Sequence, residues 1–185
     1  MRTFEDLTQA MRGFQEARIL LTAVELDLFN AAGDGATAAA IASTIGADPR
    51  ATTMLLDALV SLDALEKTGG AYRVTPESDR FRAARAGMMH TVNLWDSWST
   101  LTACVRAGTA VRRPGVEAQQ ADWTRAFIDA MHANAASQAR EMVQSVGAAG
   151  AKRLLDVGGG SGAYAIAFAP AEPPLQAAVL DLPQG

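Results

Sequence analysis

Residues 154–167 read LLDVGGGSGAYAIA, and this stretch predicts the fold of the second half of the chain. A short apolar run leads into a turn with four glycines, and an alanine-rich run suited to a helix follows. Glycines let a backbone turn sharply and approach a ligand closely, while N–H groups at the next helix start point toward that ligand. The order strand, glycine turn and helix therefore favours a nucleotide-binding site over a plain connecting turn.

A second apolar strand, AAVLD at residues 177–181, ends in Asp181. This carboxylate lies 19 residues after Gly162, a spacing at which an acid can accept hydrogen bonds from both ribose hydroxyls of an adenosine. The turn lacks the G-x-G-x-x-G spacing of dinucleotide sites and the Gly-Lys-Ser/Thr of a phosphate loop. Asp156 would repel phosphate but suits a cationic or amino-acid-bearing ligand. These features favour S-adenosylmethionine as the cofactor.

The composition of the 185-residue chain excludes several classes of protein. With 49% hydrophobic residues it suits a packed globular protein, and its net charge of −4 disfavours nucleic acid and anionic lipid as partners. Its single cysteine, Cys104, excludes an internal disulfide framework and a cysteine-cluster metal site. No signal sequence or membrane-length apolar run is evident. We expect a cytoplasmic protein with no membrane partner and no bound metal.

The first half of the chain has the pattern of a helical domain. Apolar residues recur at helical spacing over residues 4–32, with a break at Gly13. Thr37 and Asp48 are candidate caps of two short helices, and two short strands follow around Gly69-Gly70. Helix, turn, helix and β-hairpin over residues 34–75 predict a winged-helix-like unit.

The middle of the chain is predicted to contain further helices and a linker. Helical patterning resumes near Pro76, with a longer run from residue 88 to residue 105, and it is interrupted between Gly108 and Gln120. Asp122 is the predicted cap of a helix that ends near Gly147. We therefore expect a first domain over residues 1–110, a linker over 111–121 and a Rossmann-like domain over 122–185.

The glycine-rich segment, together with VLDLP at residues 179–183, resembles the S-adenosylmethionine-dependent O-methyltransferases of plant phenolic and bacterial polyketide pathways. In that family a helical, winged-helix-like N-terminal domain forms an intertwined dimer, and residues 17–74 look like that domain. The resemblance implies a homodimer, mediated by the apolar helices of residues 14–32 and 88–105. It implies a fold that is mainly α at first, followed by the start of an α/β methyltransferase domain.

The resemblance also implies roles for single residues. Asp181 would bind the ribose hydroxyls, Leu182 would lie against the adenine and Asp156 would sit below the site. Phe127 and Met131 match a family pattern whose methionine lines the pocket for the acceptor, although two core residues one helical turn apart would give the same pattern. Ala135 stands where many relatives have a serine near the cofactor. The glycines that would face the methionine part of the cofactor are Gly158, Gly159, Gly160 and Gly162.

The implied reaction is methyl transfer to the hydroxyl of a small aromatic acceptor, either phenolic or polyketide-like. Only the first two strands of the methyltransferase sheet are expected before Gly185, so we expect this chain alone to be inactive. The family's general base would lie beyond Gly185. His90 and His132 fall in helical segments outside the family position of that base, and neither is assigned a catalytic role.

A non-catalytic winged-helix module, serving dimerisation or DNA binding, is the alternative function. Residues 34–80 hold four basic and seven acidic side chains. A DNA reader needs a basic face on its recognition helix and wing. The charge therefore disfavours DNA binding, whereas a dimerisation role is compatible with the family resemblance.

Overall fold

The computed structural model describes residues 2–111, 120–171 and 174–182, and these divide into two compact units, residues 1–92 and 93–185. The boundary between the units falls within the sixth helix. The helices are α1 (Phe4–Arg12), α2 (Phe14–Glu25), α3 (Leu28–Ala32), α4 (Ala38–Ile45), α5 (Pro49–Ser61), α6 (Pro76–Trp98), α7 (Leu101–Ala107), α8 (Gln120–Val146) and α9 (Ala163–Ala171). The strands are β1 (Ala36–Thr37), β2 (Leu65–Thr68), β3 (Ala71–Val74), β4 (Arg153–Val157) and β5 (Gln176–Leu180).

The predicted caps account for the helix ends of the first unit. The Thr37 side chain accepts a hydrogen bond from the Ala40 N–H, and Gly46 ends α4 in a left-handed conformation. Asp48 caps α5, and Pro49 occupies the first helical position, where its missing N–H has no partner to lose. The two helices and the hairpin predicted over residues 34–75 are present.

A three-stranded antiparallel sheet completes the first unit, with the order β1–β3–β2. The sheet and the helices bury one cluster of large side chains, which includes Leu28, Ile41, Leu56, Leu59 and Tyr72. Tyr72 also donates its hydroxyl hydrogen to Asp57 at 2.8 Å, and Lys67 bonds the same carboxylate oxygen at 2.7 Å. The bond from Lys67, with help from Tyr72, holds the pKa of Asp57 below its ordinary value. These contacts join the hairpin to α5.

Two predicted helix boundaries are wrong. The helical run predicted up to residue 105 is interrupted at Ser99 and Thr100, whose hydroxyls donate to the carbonyls of Trp95 and Ser97 at 2.7 Å. Such side-chain bonds compete with the backbone bonds of a helix and favour a break. Helix α8 begins at Gln120, so Asp122 lies within the helix and not at the position before its first residue.

The second unit contains a β-α-β arrangement. Strands β4 and β5 are parallel, with α9 between them in sequence, and Asp156 pairs with Val179. Parallel neighbours need such a crossover, and the residues that pair directly point to the same face of the sheet. Residues 112–119 lie outside the described ranges, so the linker predicted at 111–121 stays a prediction.

Candidate functional site

The glycine turn begins where β4 ends, and its shape depends on the absence of side chains. Gly158 has a φ of +71°, and its N–H donates to the carbonyl of Leu180 on β5 at 2.7 Å. A Cβ on Gly159 would lie 2.6 Å from Cγ of Asp156 and 2.9 Å from Cγ1 of Val179. Both distances are too short for carbon atoms in contact, so a side chain at residue 159 would displace its neighbours.

Asp181 lies directly after β5, and its carboxylate is bound to the turn. Oδ2 accepts a hydrogen bond from the Gly160 N–H at 2.5 Å, and Oδ1 accepts one from the Leu182 N–H at 2.7 Å. A carboxylate has about four acceptor positions, so each oxygen can accept a further bond from a ligand hydroxyl. The turn thus holds this acid in one orientation.

Asp156, the next-to-last residue of β4, presents a second carboxylate. Its Oδ2 is buried and makes no hydrogen bond within the described residues. A buried acceptor without a partner is costly, and a donor supplied by a ligand would remove that cost. Asp156 lines the same cleft as Asp181, so an ammonium group bound there would meet two acids.

The cleft has a volume of about 710 Å³ and lies entirely within the second unit. This volume falls within the range of small-molecule sites. One wall is a face of α8, and the other is formed by the end of β4, the glycine turn, the start of α9 and the residues after β5. The lining residues are Thr124, Phe127, Ile128, Met131, Asn134, Ala135 and Gln138 from α8, and Asp156, Gly158, Gly159, Gly160, Ser161, Ala163, Tyr164, Asp181 and Leu182 from the opposite wall.

Eight of the nine predicted site residues line this cleft. Phe127 and Met131 are 37% and 39% exposed, so they border the cleft rather than a closed core. Gly162 is the exception: it is buried at the start of α9, where a Cβ would lie 3.1 Å from Cγ2 of Val179. The structure gives Gly162 a packing role, and its contact with the cofactor stays a prediction.

Sequence reasoning missed several residues of the cleft. Asn134 and Gln138 follow Met131 at three- and four-residue steps, so the helical period of α8 was a signal that could have identified them. The contact between His132 Nδ1 and Ser161 Oγ, at 2.8 Å, was also missed. His132 does not itself line the cleft, and no local pattern links it to a residue 29 positions away.

The site suits a ligand with hydroxyl groups and a positive charge. Backbone N–H groups and two carboxylates surround the turn, whereas none of the described residues that line the cleft is a Lys or an Arg. No group of three or more potential metal ligands lies together in the part of the chain that the structure describes. Within those same residues, no helix is long and apolar enough to cross a membrane.

Two family models match the chain. The O-methyltransferase dimerisation domain matches residues 8–84, and the O-methyltransferase domain matches residues 98–185. The family uses S-adenosylmethionine, as the resemblance implied.

Curated proteins and a solved structure agree with this assignment. The N,N-dimethyltransferase OxyT of Streptomyces rimosus is 32% identical, over 96% of this chain and 56% of OxyT. The tetracenomycin polyketide synthesis 8-O-methyl transferase TcmO of Streptomyces glaucescens is 30% identical, over 97% of this chain and 57% of TcmO. The structure of PigF with SAH, a protein of a Serratia strain, has a TM-score of 0.79 and 25% identity, over 99% of this chain and 60% of PigF.

The chain spans slightly more than half the length of the curated relatives it matches. Both of its halves nevertheless match the same family. The first half matches the dimerisation domain and the second half matches the methyltransferase domain, in the order that the resemblance implied. The chain therefore belongs to the S-adenosylmethionine-dependent O-methyltransferase family, with a dimerisation domain followed by a methyltransferase domain.

Proposed function

We propose that the cleft of the second unit binds S-adenosylmethionine. Asp181 accepts hydrogen bonds from the ribose hydroxyls, Leu182 lies against the adenine, and Gly158, Gly159 and Gly160 border the methionine part. The observation that carries this proposal is the carboxylate of Asp181, held by the Gly160 N–H at the mouth of the glycine turn. The buried, unpartnered Oδ2 of Asp156 supports it, because the ligand's ammonium group supplies the missing donor.

The proposed reaction is methylation of a hydroxyl on a small aromatic acceptor. The bound cofactor supplies an electrophilic methyl group on a sulfonium. Phe127 and Met131 offer an apolar surface on α8, opposite the glycine turn, that would orient the acceptor ring. Holding the two reactants in line supplies much of the rate enhancement of such a transfer. The name of TcmO supports a polyketide hydroxyl as acceptor, and that of OxyT makes an amine the second candidate.

We propose further that the described part of the catalytic sheet belongs to a larger one. Leu155, Val157 and Leu180 share one face of the sheet and are 60%, 71% and 57% exposed. Apolar strand faces of this kind are normally covered, and unpaired edges normally find partners. On this proposal the general base comes from residues outside this sequence, and the 185 residues alone do not catalyse methylation.

The first unit is proposed to be a winged-helix-like dimerisation domain. Phe4, Leu7, Met11 and Phe14 lie along α1 and the start of α2, and each is at least half exposed. A second copy of this chain would bury such a stripe in a two-fold interface. Sedimentation at micromolar concentration is expected to give the mass of a dimer, and a monomer would contradict the proposal.

The exclusion of nucleic acid and membrane as partners, and the cytoplasmic location, stay predictions.

The cofactor proposal is tested by titrating S-adenosylhomocysteine into the 15N-labelled chain and following the backbone amides. We expect shifts at Gly158, Gly160 and Leu182, and none in the hairpin of residues 65–74. Asp181→Ala should weaken binding at least tenfold, because hydrogen bonds to a charged group contribute about 1.5–3 kcal/mol.

Asp129→Ala is the matched control, since Asp129 is an exposed acid on α8 that does not line the cleft. The control should bind as the unchanged chain does. Equal affinity of the Asp181→Ala variant, or amide shifts confined to other parts of the chain, would overturn the assignment.

A further inference from the structure

The two walls of the cleft are joined by a hydrogen bond that the proposed function does not use. Nδ1 of His132, on α8, lies 2.8 Å from Oγ of Ser161, in the glycine turn. Ser161 lines the cleft, and so does Met131, the neighbour of His132. The bond therefore connects the wall proposed for the acceptor with the wall proposed for the cofactor.

Two other hydrogen bonds of the turn run to β5 and to the residue just after it. Gly158 donates to the carbonyl of Leu180 at 2.7 Å, and Gly160 donates to Asp181 at 2.5 Å. Within the turn, Gly162 donates to the carbonyl of Gly159 at 2.8 Å. The bond of Ser161 to His132 thus links the turn to α8, in addition to its links to the sheet.

The chemistry of the pair suits a stable link. A hydroxyl can donate or accept, and each nitrogen of a neutral imidazole can do one or the other, so the bond forms with either tautomer. An imidazolium donates from Nδ1 to the hydroxyl oxygen, so the bond also persists when His132 is protonated. Its formation does not require one charge state of the ring.

We propose that His132 and Ser161 are a positioning pair, which sets the separation between α8 and the glycine turn. This inference rests on the proposed function, because the cleft that the pair shapes is the proposed cofactor site. His132 itself does not contact the ligand. It acts through Ser161, whose backbone lies between Gly160 and Gly162 in the turn.

A substitution series isolates this bond from general packing. His132→Ala and Ser161→Ala each remove one partner. His132→Asn retains a polar atom bonded to Cγ, near the position of Nδ1, whereas His132→Gln carries its polar atoms one bond further out. Ser137→Ala is the matched control, because Ser137 lies on α8 and donates to the carbonyl of Asn134 in its own helix at 2.7 Å.

The first measurement is made without ligand. In His132→Ala, the 15N amide resonances of residues 158–162 should shift from those of the unchanged chain, and His132→Asn should restore them more fully than His132→Gln. Ser137→Ala should leave them unchanged. Resonances of the turn that do not respond to loss of the imidazole would overturn the proposal, whether or not the chain binds the cofactor.

The second measurement is a double-substitution cycle on the affinity for S-adenosylhomocysteine. Each single alanine variant should bind about threefold to tenfold more weakly, as expected for loss of one neutral hydrogen bond. The double variant should bind no more weakly than either single variant, because both remove the same bond.

The two measurements separate the two possible failures. If the losses of affinity in the two single variants multiply in the double variant, or if neither single variant loses affinity, the proposal of a positioning pair is wrong. Either result would leave the proposed cofactor site intact. Failure of the unchanged chain to bind would count against the proposed function, and the resonances of the turn would still decide the proposal about His132.

Discussion

The two units differ in what they bury. In residues 1–92 the buried core contains large side chains, with Leu28, Ile41, Leu56 and Leu59 fully buried. In residues 93–185 the buried residues are mostly alanines, while Leu155, Val157, Val179 and Leu180 of the sheet are all more than 40% exposed. Burial of apolar area is the main stabilising contribution to folding. Because its large apolar side chains are buried, the first unit gains more of this stabilisation than the second. The second unit, where we propose the cofactor site, is therefore held together by its turn and backbone bonds more than by a filled core.

The largest expected effect comes from a pair of identical substitutions, Leu56→Ala in the first unit and Leu155→Ala in the second. Leu56 is fully buried, so its truncation should lower the free energy of unfolding by about 2–5 kcal/mol. Leu155 is 60% exposed, so the same truncation should cost well under 1 kcal/mol.

Urea unfolding separates the two units by their signals. All three tryptophans, Trp95, Trp98 and Trp123, follow residue 92 in the sequence, so fluorescence is weighted toward the second unit, whereas circular dichroism follows the helices of both. Equal losses of unfolding free energy in Leu56→Ala and Leu155→Ala would contradict the difference between the two units. A large loss for Leu155→Ala in a longer protein, together with a small loss in this chain, would show that further strands cover the exposed face of the sheet.

A smaller effect is expected from Gly159→Ala in the second unit. The added Cβ would meet Asp156 and Val179 at distances below 3 Å, so the substitution should destabilise that unit by about 1–3 kcal/mol. It should also weaken the binding of S-adenosylhomocysteine, because Asp156 must move. Tryptophan fluorescence in urea and calorimetric titration measure the two effects.

Gly13→Ala in the first unit is the control for this substitution. Gly13 has a right-handed helical conformation, and a Cβ there would meet the Ala10 carbonyl oxygen at an ordinary distance of 3.4 Å. The change should be neutral or should stabilise by up to about 1 kcal/mol, because alanine restricts the unfolded chain. A stable Gly159→Ala variant would show that the turn is not as tightly packed as the geometry indicates.

The sequence predicted most of the local structure because caps and glycines act on their neighbours. Thr37, Asp48 and Pro49 specify where α4 and α5 begin, and each works within one helical turn. Strand β4, Arg153–Val157, contains the apolar run that begins at Leu154. The start of α8 was misplaced because Asp122 suits a cap, yet the backbone is already helical two residues earlier.

The predicted site residues came from the turn and from family resemblance, and the structure brings eight of them to one cleft. Geometry supplied what a linear pattern lacks. It shows that Gly159 packs on Asp156, that Gly162 packs on Val179, and that Asp181 is held by the Gly160 N–H. None of these contacts follows from residue type alone, because the first depends on the shape of the turn and the other two depend on how β4 and β5 pair.

By itself, then, the sequence determined most of the helices and strands, the glycine turn and the acid after the strand that follows it, but it missed β1 and the break between α6 and α7. These follow from hydrophobic periodicity, capping and the conformational freedom of glycine, which operate over a few residues. Only the tertiary structure decided that His132 meets Ser161 across 29 residues and that the Oδ2 of Asp156 is buried with no hydrogen-bond partner among the described residues. Such contacts depend on the packing of one element against another, because distances between elements distant in sequence are fixed only when the chain folds.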